Sequence, residues 1–172
     1  QTYELVRVVP IMELNSWAIV VFVAWLVNVF LTGIFAFAGF AFPTQRLLPK
    51  RYYHISKPDT LTWWFNQLRV GIFRNLLLAT LWRGENQRKR YFNGKKAGIK
   101  HFSEASEKSE FGHLIPLALI SLLSIYFLTL GKVALGLCSF SINMIGNLYP
   151  ILLQRHHRLK IQRLLKRNSN GK

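Results

Sequence analysis

Residues 14–43 of this chain contain no ionisable side chain, and most of their side chains are aliphatic or aromatic. A helix needs about 20 apolar residues to cross the hydrocarbon core of a bilayer. The segment therefore predicts a transmembrane span over residues 14–42. Although the formal net charge is +16, 51% of the residues are hydrophobic, so the chain is too apolar to be a disordered basic tail.

A second apolar block runs from Leu114 to Leu153 and is interrupted only by Gly131 and Lys132. Its length suits two helices joined by a very short turn. We expect spans at residues 113–130 and 133–154, which together with the first span form a single membrane domain over residues 1–172.

Basic residues are concentrated in two parts of the chain. Of 23 Lys and Arg residues, 14 lie in residues 44–112 and seven follow residue 154, whereas only Arg7 and Lys132 lie elsewhere. The positive-inside rule places such segments in the cytoplasm. We therefore expect a multi-pass protein of the cytoplasmic (inner) membrane in which segment 44–112 and the basic tail 155–172 are cytoplasmic.

The segment between the first two spans contains an amphipathic pattern over residues 60–82 and a basic run over residues 83–102. The pattern predicts an interfacial helix, with a helix packed on the protein's own bundle as the alternative. The basic run is suited to anionic head groups on the cytoplasmic side. Beside three spans there is no room for a nucleic-acid-binding fold, so membrane lipids are the expected partners.

Polar side chains recur along the third predicted span at intervals of three or four residues, which places them on one helix face: Ser139, Asn143, Asn147, Pro150 and Gln154. An amide without a partner costs several kcal/mol in hydrocarbon, so this face should point inward. Hydrogen bonds between helices explain such residues most simply. For Asn147 and Gln154, near the cytoplasmic end, contact with a substrate is an equal alternative.

Glu110 and His113 are three residues apart, a spacing that brings a carboxylate and an imidazole together on a helix. Such a pair can take a proton from a hydroxyl. The alternative is a surface acid next to an interfacial histidine. The chain has a single Glu-x-x-His and a single cysteine, so we expect no metal site. Arg155 and Arg158 could clamp a phosphate or a carboxylate.

Two stretches, residues 109–128 and 147–161, resemble the glycosyl-4,4'-diaponeurosporenoate acyltransferase family of small bacterial membrane proteins, over about residues 40–165. The most specific part is the run Asn-x-x-Pro-x-x-x-Gln-Arg at residues 147–155, and the Glu-x-x-His is the second. The resemblance implies transfer of a fatty acyl group to a sugar hydroxyl of a carotenoid glycoside or a similar lipid.

On that resemblance, His113 is the general base, Glu110 orients it, and Asn147 and Gln154 bind the sugar or the acyl carbonyl. Arg155 and Arg158 would bind the phosphate of an acyl-thioester donor, and no cofactor is implied. The expected fold is all-α, with three spans, an interfacial helix and basic cytoplasmic segments. Whether the chain is an enzyme stays open: a non-catalytic small subunit of a larger membrane complex, or a lipid- or carotenoid-binding component, would share these features.

Overall fold

The computed structural model describes residues 2–80 and 96–170, and all regular secondary structure in these two ranges is helical. Three helical stretches are long and apolar enough to cross a membrane: Ser16–Ala41, His101–Thr129 and Val133–Lys166. The prediction of an all-α membrane protein is confirmed. Residues 81–82 of the predicted interfacial helix, residues 83–95 of the predicted basic run and residues 171–172 of the tail lie outside the described residues.

The helices follow one another with short connections. In chain order they are α1 (Thr2–Ala41), a 3₁₀ turn (Thr44–Arg46), α2 (Lys50–Tyr53), α3 (Pro58–Gln67), α4 (Val70–Thr80), α5 (Lys96–Thr129), α6 (Val133–Asn143), a π-helical turn (Met144–Leu148) and α7 (Tyr149–Asn170). The long helices extend past the predicted spans, since α5 begins at Lys96 and α7 continues to Asn170.

Helices α1, α5 and α6 pack against one another, and α5 also packs against α7. Helices α1 and α5 approach closely where Gly39 faces Gly112: a Cβ on Gly39 would lie 2.9 Å from the carbonyl oxygen of Lys108. Small residues of this kind let helix backbones meet inside a membrane. Away from this contact, α1 carries large exposed apolar side chains such as Phe40, 83% exposed, as expected for a lipid-facing surface.

Helices α5 and α6 form the expected tight hairpin, with Gly131 in the turn at φ = +72°. Glycine adopts this left-handed conformation without the steric cost that a Cβ brings. Gly136 then packs against the side chain of Leu128 on the opposite helix. The hairpin brings the polar face of α6 against α5.

The predicted helix over residues 60–82 was wrong in one respect, because the chain bends within it. Helix α3 ends at Gln67 and α4 begins at Val70, with Arg69 between them at φ = +49°. The bend lets Phe65 and Val70 pack on Leu152 and Leu153 of α7. Other apolar side chains of the pair stay exposed, namely Trp63, Trp64, Ile72 and Leu76. The helix pair thus has one face on the bundle and one free apolar face.

Candidate active site

Three polar residues of α6 and the π-helical turn point into the bundle: Ser139, Asn143 and Asn147. Ser139 and Asn143 are fully buried and Asn147 is 1% exposed, which confirms the predicted inward face at these three positions, whereas Pro150 and Gln154 are half-buried. Asn147 lies in the π-helical turn, where the Tyr149 N–H donates to the Met144 carbonyl five residues earlier. Turns of this kind are frequent at functional sites.

Glu110 is fully buried and accepts hydrogen bonds from three side chains. Its Oε1 accepts from the Tyr52 hydroxyl at 2.9 Å and from Arg155 Nε at 2.8 Å, and its Oε2 accepts from Arg158 Nη2. Arg158 also donates to the Ser106 hydroxyl at 3.3 Å. A buried carboxylate is tolerated only when it is paired and hydrogen-bonded, and here both oxygens have cationic partners.

The two tyrosines of α2 cover these arginines. The Tyr52 ring lies 4.8 Å from Arg155 Cζ, and the Tyr53 ring lies 5.2 Å from Arg158 Cζ. Burial, followed by the charge of Glu110, raises the pKa of Tyr52, so its hydroxyl stays a hydrogen-bond donor to the carboxylate. We call Glu110, Tyr52, Tyr53, Arg155 and Arg158 the ion cluster.

His113 lies one helical turn from Glu110 and belongs to a second set of contacts. Its Nδ1 is 3.1 Å from Asn147 Oδ1. The Asn147 Nδ2 donates to Thr32 Oγ1 at 3.0 Å and to Asn143 Oδ1 at 2.9 Å. The side chain of His113 is therefore held by the π-helical turn, and that turn is tied to α1 and α6.

The expectation that Glu110 orients His113 is corrected by these contacts. All hydrogen bonds of the Glu110 carboxylate go to the ion cluster, and the partner of the His113 side chain is Asn147. The physical reason is charge: two guanidinium groups compete for a buried carboxylate far more strongly than a neutral imidazole does.

Arg155 and Arg158 do clamp a carboxylate, and it belongs to Glu110 of the same chain. Arg158 is 3% exposed, which places it out of reach of a donor phosphate in this structure, whereas the side chain of Arg155 is 30% exposed. Gln154 donates to the Ser109 hydroxyl at 3.2 Å, a contact between α7 and α5. Five of the six predicted residues thus fall into two adjacent layers, Gln154 makes a separate contact with Ser109, and the six do not form one cluster.

Two contributors were missed by the sequence reasoning. Tyr52 lies in a short helix with no periodic pattern, and Thr32 lies in an apolar span where a single threonine is unremarkable. Each meets its partner across a long sequence separation: Tyr52 is 58 residues from Glu110, and Thr32 is 115 residues from Asn147. No local signal could have found either contact. In the described ranges, no three His, Cys, Asp or Glu residues lie close enough together to hold a metal ion.

Comparison with known proteins matches most of the chain to a family model. The family model described as glycosyl-4,4'-diaponeurosporenoate acyltransferase matches residues 49–167, which include α2, both layers of the site and most of α7. No curated protein and no solved structure matches the chain. The matched range begins just before the two tyrosines of the ion cluster and leaves out α1, which supplies Thr32.

Proposed function

Because the chain belongs to the glycosyl-4,4'-diaponeurosporenoate acyltransferase family, we propose that it transfers a fatty acyl group to a sugar hydroxyl of a glycosylated, membrane-embedded acceptor. The family's name describes a carotenoid glycoside as the acceptor. The observation that supports the proposal most directly is the position of His113. It is a partly buried imidazole with a hydrogen-bonded Nδ1, next to a layer of polar side chains between apolar helices.

In the proposed reaction His113 is the general base. Its Nε2 takes the proton of the acceptor hydroxyl while the hydroxyl oxygen attacks the carbonyl carbon of an acyl thioester. The new C–O bond forms, the C–S bond breaks, and the proton passes from the imidazole to the departing thiolate. General bases of this kind contribute about 10²–10⁴-fold to a rate.

The surrounding residues have supporting roles in this proposal. Asn147 orients the imidazole, and Gln154, which is partly exposed, is available to an acceptor hydroxyl or an acyl carbonyl. The ion cluster holds α2, α5 and α7 together. Arg155 is its most exposed cation and is the side chain we assign to the anionic part of the acyl donor.

The same proposal includes an orientation in the membrane. We propose that the parts between the first two spans and after the third lie on the cytoplasmic side of the inner membrane, and their excess of Lys and Arg supports this orientation. An acyl thioester donor would then reach the site from the cytoplasm, and anionic head groups would bind the basic residues.

The experiment that tests the proposal compares lipid extracts by mass spectrometry. The cells carry the wild-type gene, a deletion, His113→Ala, or His101→Ala, which changes an exposed histidine of the same helix. We expect the deletion and His113→Ala to lose one lipid species that exceeds its precursor by the mass of an acyl group, and His101→Ala to keep it. Membrane levels of each variant are measured in parallel.

An unchanged lipid profile in the deletion strain would overturn the acyltransferase proposal. If a partner protein disappeared from the membrane of that strain, the chain would instead be a subunit of a larger complex. A profile altered by the deletion and normal in His113→Ala would keep the activity and remove His113 from its mechanism.

A further inference from the structure

The hydrogen bonds that link Leu117, Asn143, Asn147 and His113 form a series, and the backbone carbonyl at its start determines which atom donates at each step. Asn143 Nδ2 lies 3.0 Å from the backbone carbonyl of Leu117 and 3.1 Å from the Ser121 hydroxyl. The carbonyl can only accept a hydrogen bond. The amide of Asn143 must therefore turn its nitrogen toward α5, which leaves its Oδ1 facing Asn147.

The orientation of Asn147 follows from that of Asn143. Its Nδ2 donates to Asn143 Oδ1 at 2.9 Å and to Thr32 Oγ1 at 3.0 Å, so both amide hydrogens have acceptors. The Oδ1 of Asn147 is then the atom that faces His113 Nδ1, at 3.1 Å. An amide oxygen has no hydrogen to donate, so the hydrogen of this contact belongs to Nδ1.

We infer that Asn143, acting through Asn147, fixes His113 in the tautomer that carries its hydrogen on Nδ1 and its lone pair on Nε2. Both asparagines are positioning residues. That Nε2 then serves as the base rests on the proposed function, whereas the tautomer itself does not.

The opposite orientation of the two asparagine amides would cost free energy at Asn143, where the series of hydrogen bonds begins. If both amides were turned over, Asn143 Oδ1 would face the Leu117 carbonyl oxygen across the same 3.0 Å, and the single hydrogen of the Ser121 hydroxyl, which donates to that carbonyl at 2.7 Å, could serve only one of the two acceptors. A buried polar group without its partner costs about 1–3 kcal/mol. Water cannot replace the lost bonds easily, because Asn143 is fully buried and Asn147 is 1% exposed.

The tautomer is measured directly by NMR on purified protein with isotope-labelled histidine in detergent micelles, at a pH where the imidazole is neutral. The ring nitrogen and carbon shifts distinguish a hydrogen on Nδ1 from one on Nε2. Loss of signals in His113→Gln assigns those of His113. We expect the wild-type protein to show the Nδ1–H form, and an Nε2–H form would overturn the inference without any variant.

The role of Asn143 is tested with Asn143→Leu, which removes both the amide nitrogen and the amide oxygen at nearly constant side-chain size. We expect the His113 signals to shift toward the Nε2–H form or toward a mixture of the two. The matched control is Ser121→Ala, which removes the second acceptor of Asn143 and leaves the Leu117 carbonyl in place, so the Nδ1–H form should persist. An unchanged tautomer in a folded Asn143→Leu protein would contradict the role of Asn143.

Failure of the proposed function would look different. In that case the wild-type tautomer would be Nδ1–H as inferred, while cells with His113→Ala would still make the acylated lipid. The NMR result therefore tests the tautomer of His113, and the lipid profile separately tests its proposed role as the base.

Discussion

Glu110 and His113 lie one turn apart on α5, and within residues 2–80 and 96–170 they share no hydrogen-bond partner. The carboxylate of Glu110 is bound by Tyr52, Arg155 and Arg158, whereas the His113 ring is bound by Asn147. One layer of the site therefore holds helices together through charge, and the next layer orients a single imidazole. Substitutions in the two layers should therefore have different effects. Loss of a charge in the first layer should lower stability, whereas a change in the second layer should alter the orientation of His113.

Replacement of Glu110 by Gln should destabilise the fold strongly. It leaves the guanidinium of Arg158, 3% exposed, without a counter-charge. Removal of one partner of a buried ion pair costs about 3–5 kcal/mol. Thermal unfolding in detergent measures the loss, with Glu107→Gln as the control, since the hydrogen bond of Glu107 is with Ser103 on a less buried part of α5. Equal melting temperatures for the two variants would contradict the prediction.

The two arginines of the ion cluster should differ in what their loss costs. Arg158→Met should lower the unfolding temperature more than Arg155→Met does, because the side chain of Arg155 is 30% exposed and water screens its charge. In the double variant Glu110→Gln with Arg158→Met, part of the stability lost in Glu110→Gln should return, since no unpaired charge is then buried at that position. Additive losses would show that the pair is not coupled.

The neighbouring tyrosines provide a matched comparison at neutral pH. Tyr52→Phe removes a hydrogen bond to a buried carboxylate, for which the expected loss is about 1.5–3 kcal/mol. The buried hydroxyl of Tyr53 has no hydrogen-bond partner among the residues that the structure describes, so Tyr53→Phe should change the free energy of unfolding by less than about 0.5 kcal/mol. Urea or thermal unfolding of both proteins under the same conditions checks the order.

Tyr53 should also make the protein sensitive to alkali. Burial, followed by the charges of Glu107 and Glu110, raises the pKa of Tyr53 to about 12. The unfolded chain loses this proton near its ordinary pKa of about 10, while the folded protein keeps it, so stability falls as the pH rises between these two values. Between about pH 8 and about pH 11, the unfolding temperature of the parent protein should therefore fall by more than that of Tyr53→Phe. Parallel curves for the two proteins would refute this.

The contact of α1 with α5 should tolerate no added methyl group at Gly39. A Cβ there would lie 2.9 Å from the Lys108 carbonyl oxygen, which is backbone and cannot turn aside. Gly39→Ala should cost about 1–3 kcal/mol as the helices are pushed apart. Gly33→Ala is the control on the same helix, because a Cβ at Gly33 would meet nothing within 4 Å. Helix separation can be followed by cross-linking between α1 and α5, and equal effects of the two variants would contradict this packing.

The amino-acid sequence determined the features that depend on local pattern. The runs of apolar residues predict three spans, the short break at Gly131 and Lys132 predicts a hairpin, and the spacing of Ser139, Asn143 and Asn147 predicts an inward polar face. These predictions succeed because hydrocarbon excludes free backbone and amide groups wherever a helix is placed.

Only the tertiary structure decided which side chains are partners. The sequence indicated that Arg155 and Arg158 suit a carboxylate, and the fold supplied one from Glu110, 45 and 48 residues earlier in the chain. It likewise gave His113 an amide partner in place of the nearby carboxylate, and it bent residues 60–82 at Arg69 so that Phe65 and Val70 reach α7. Pairings of this kind depend on which charges and shapes meet between helices, and the periodicity of a single helix does not predict those contacts.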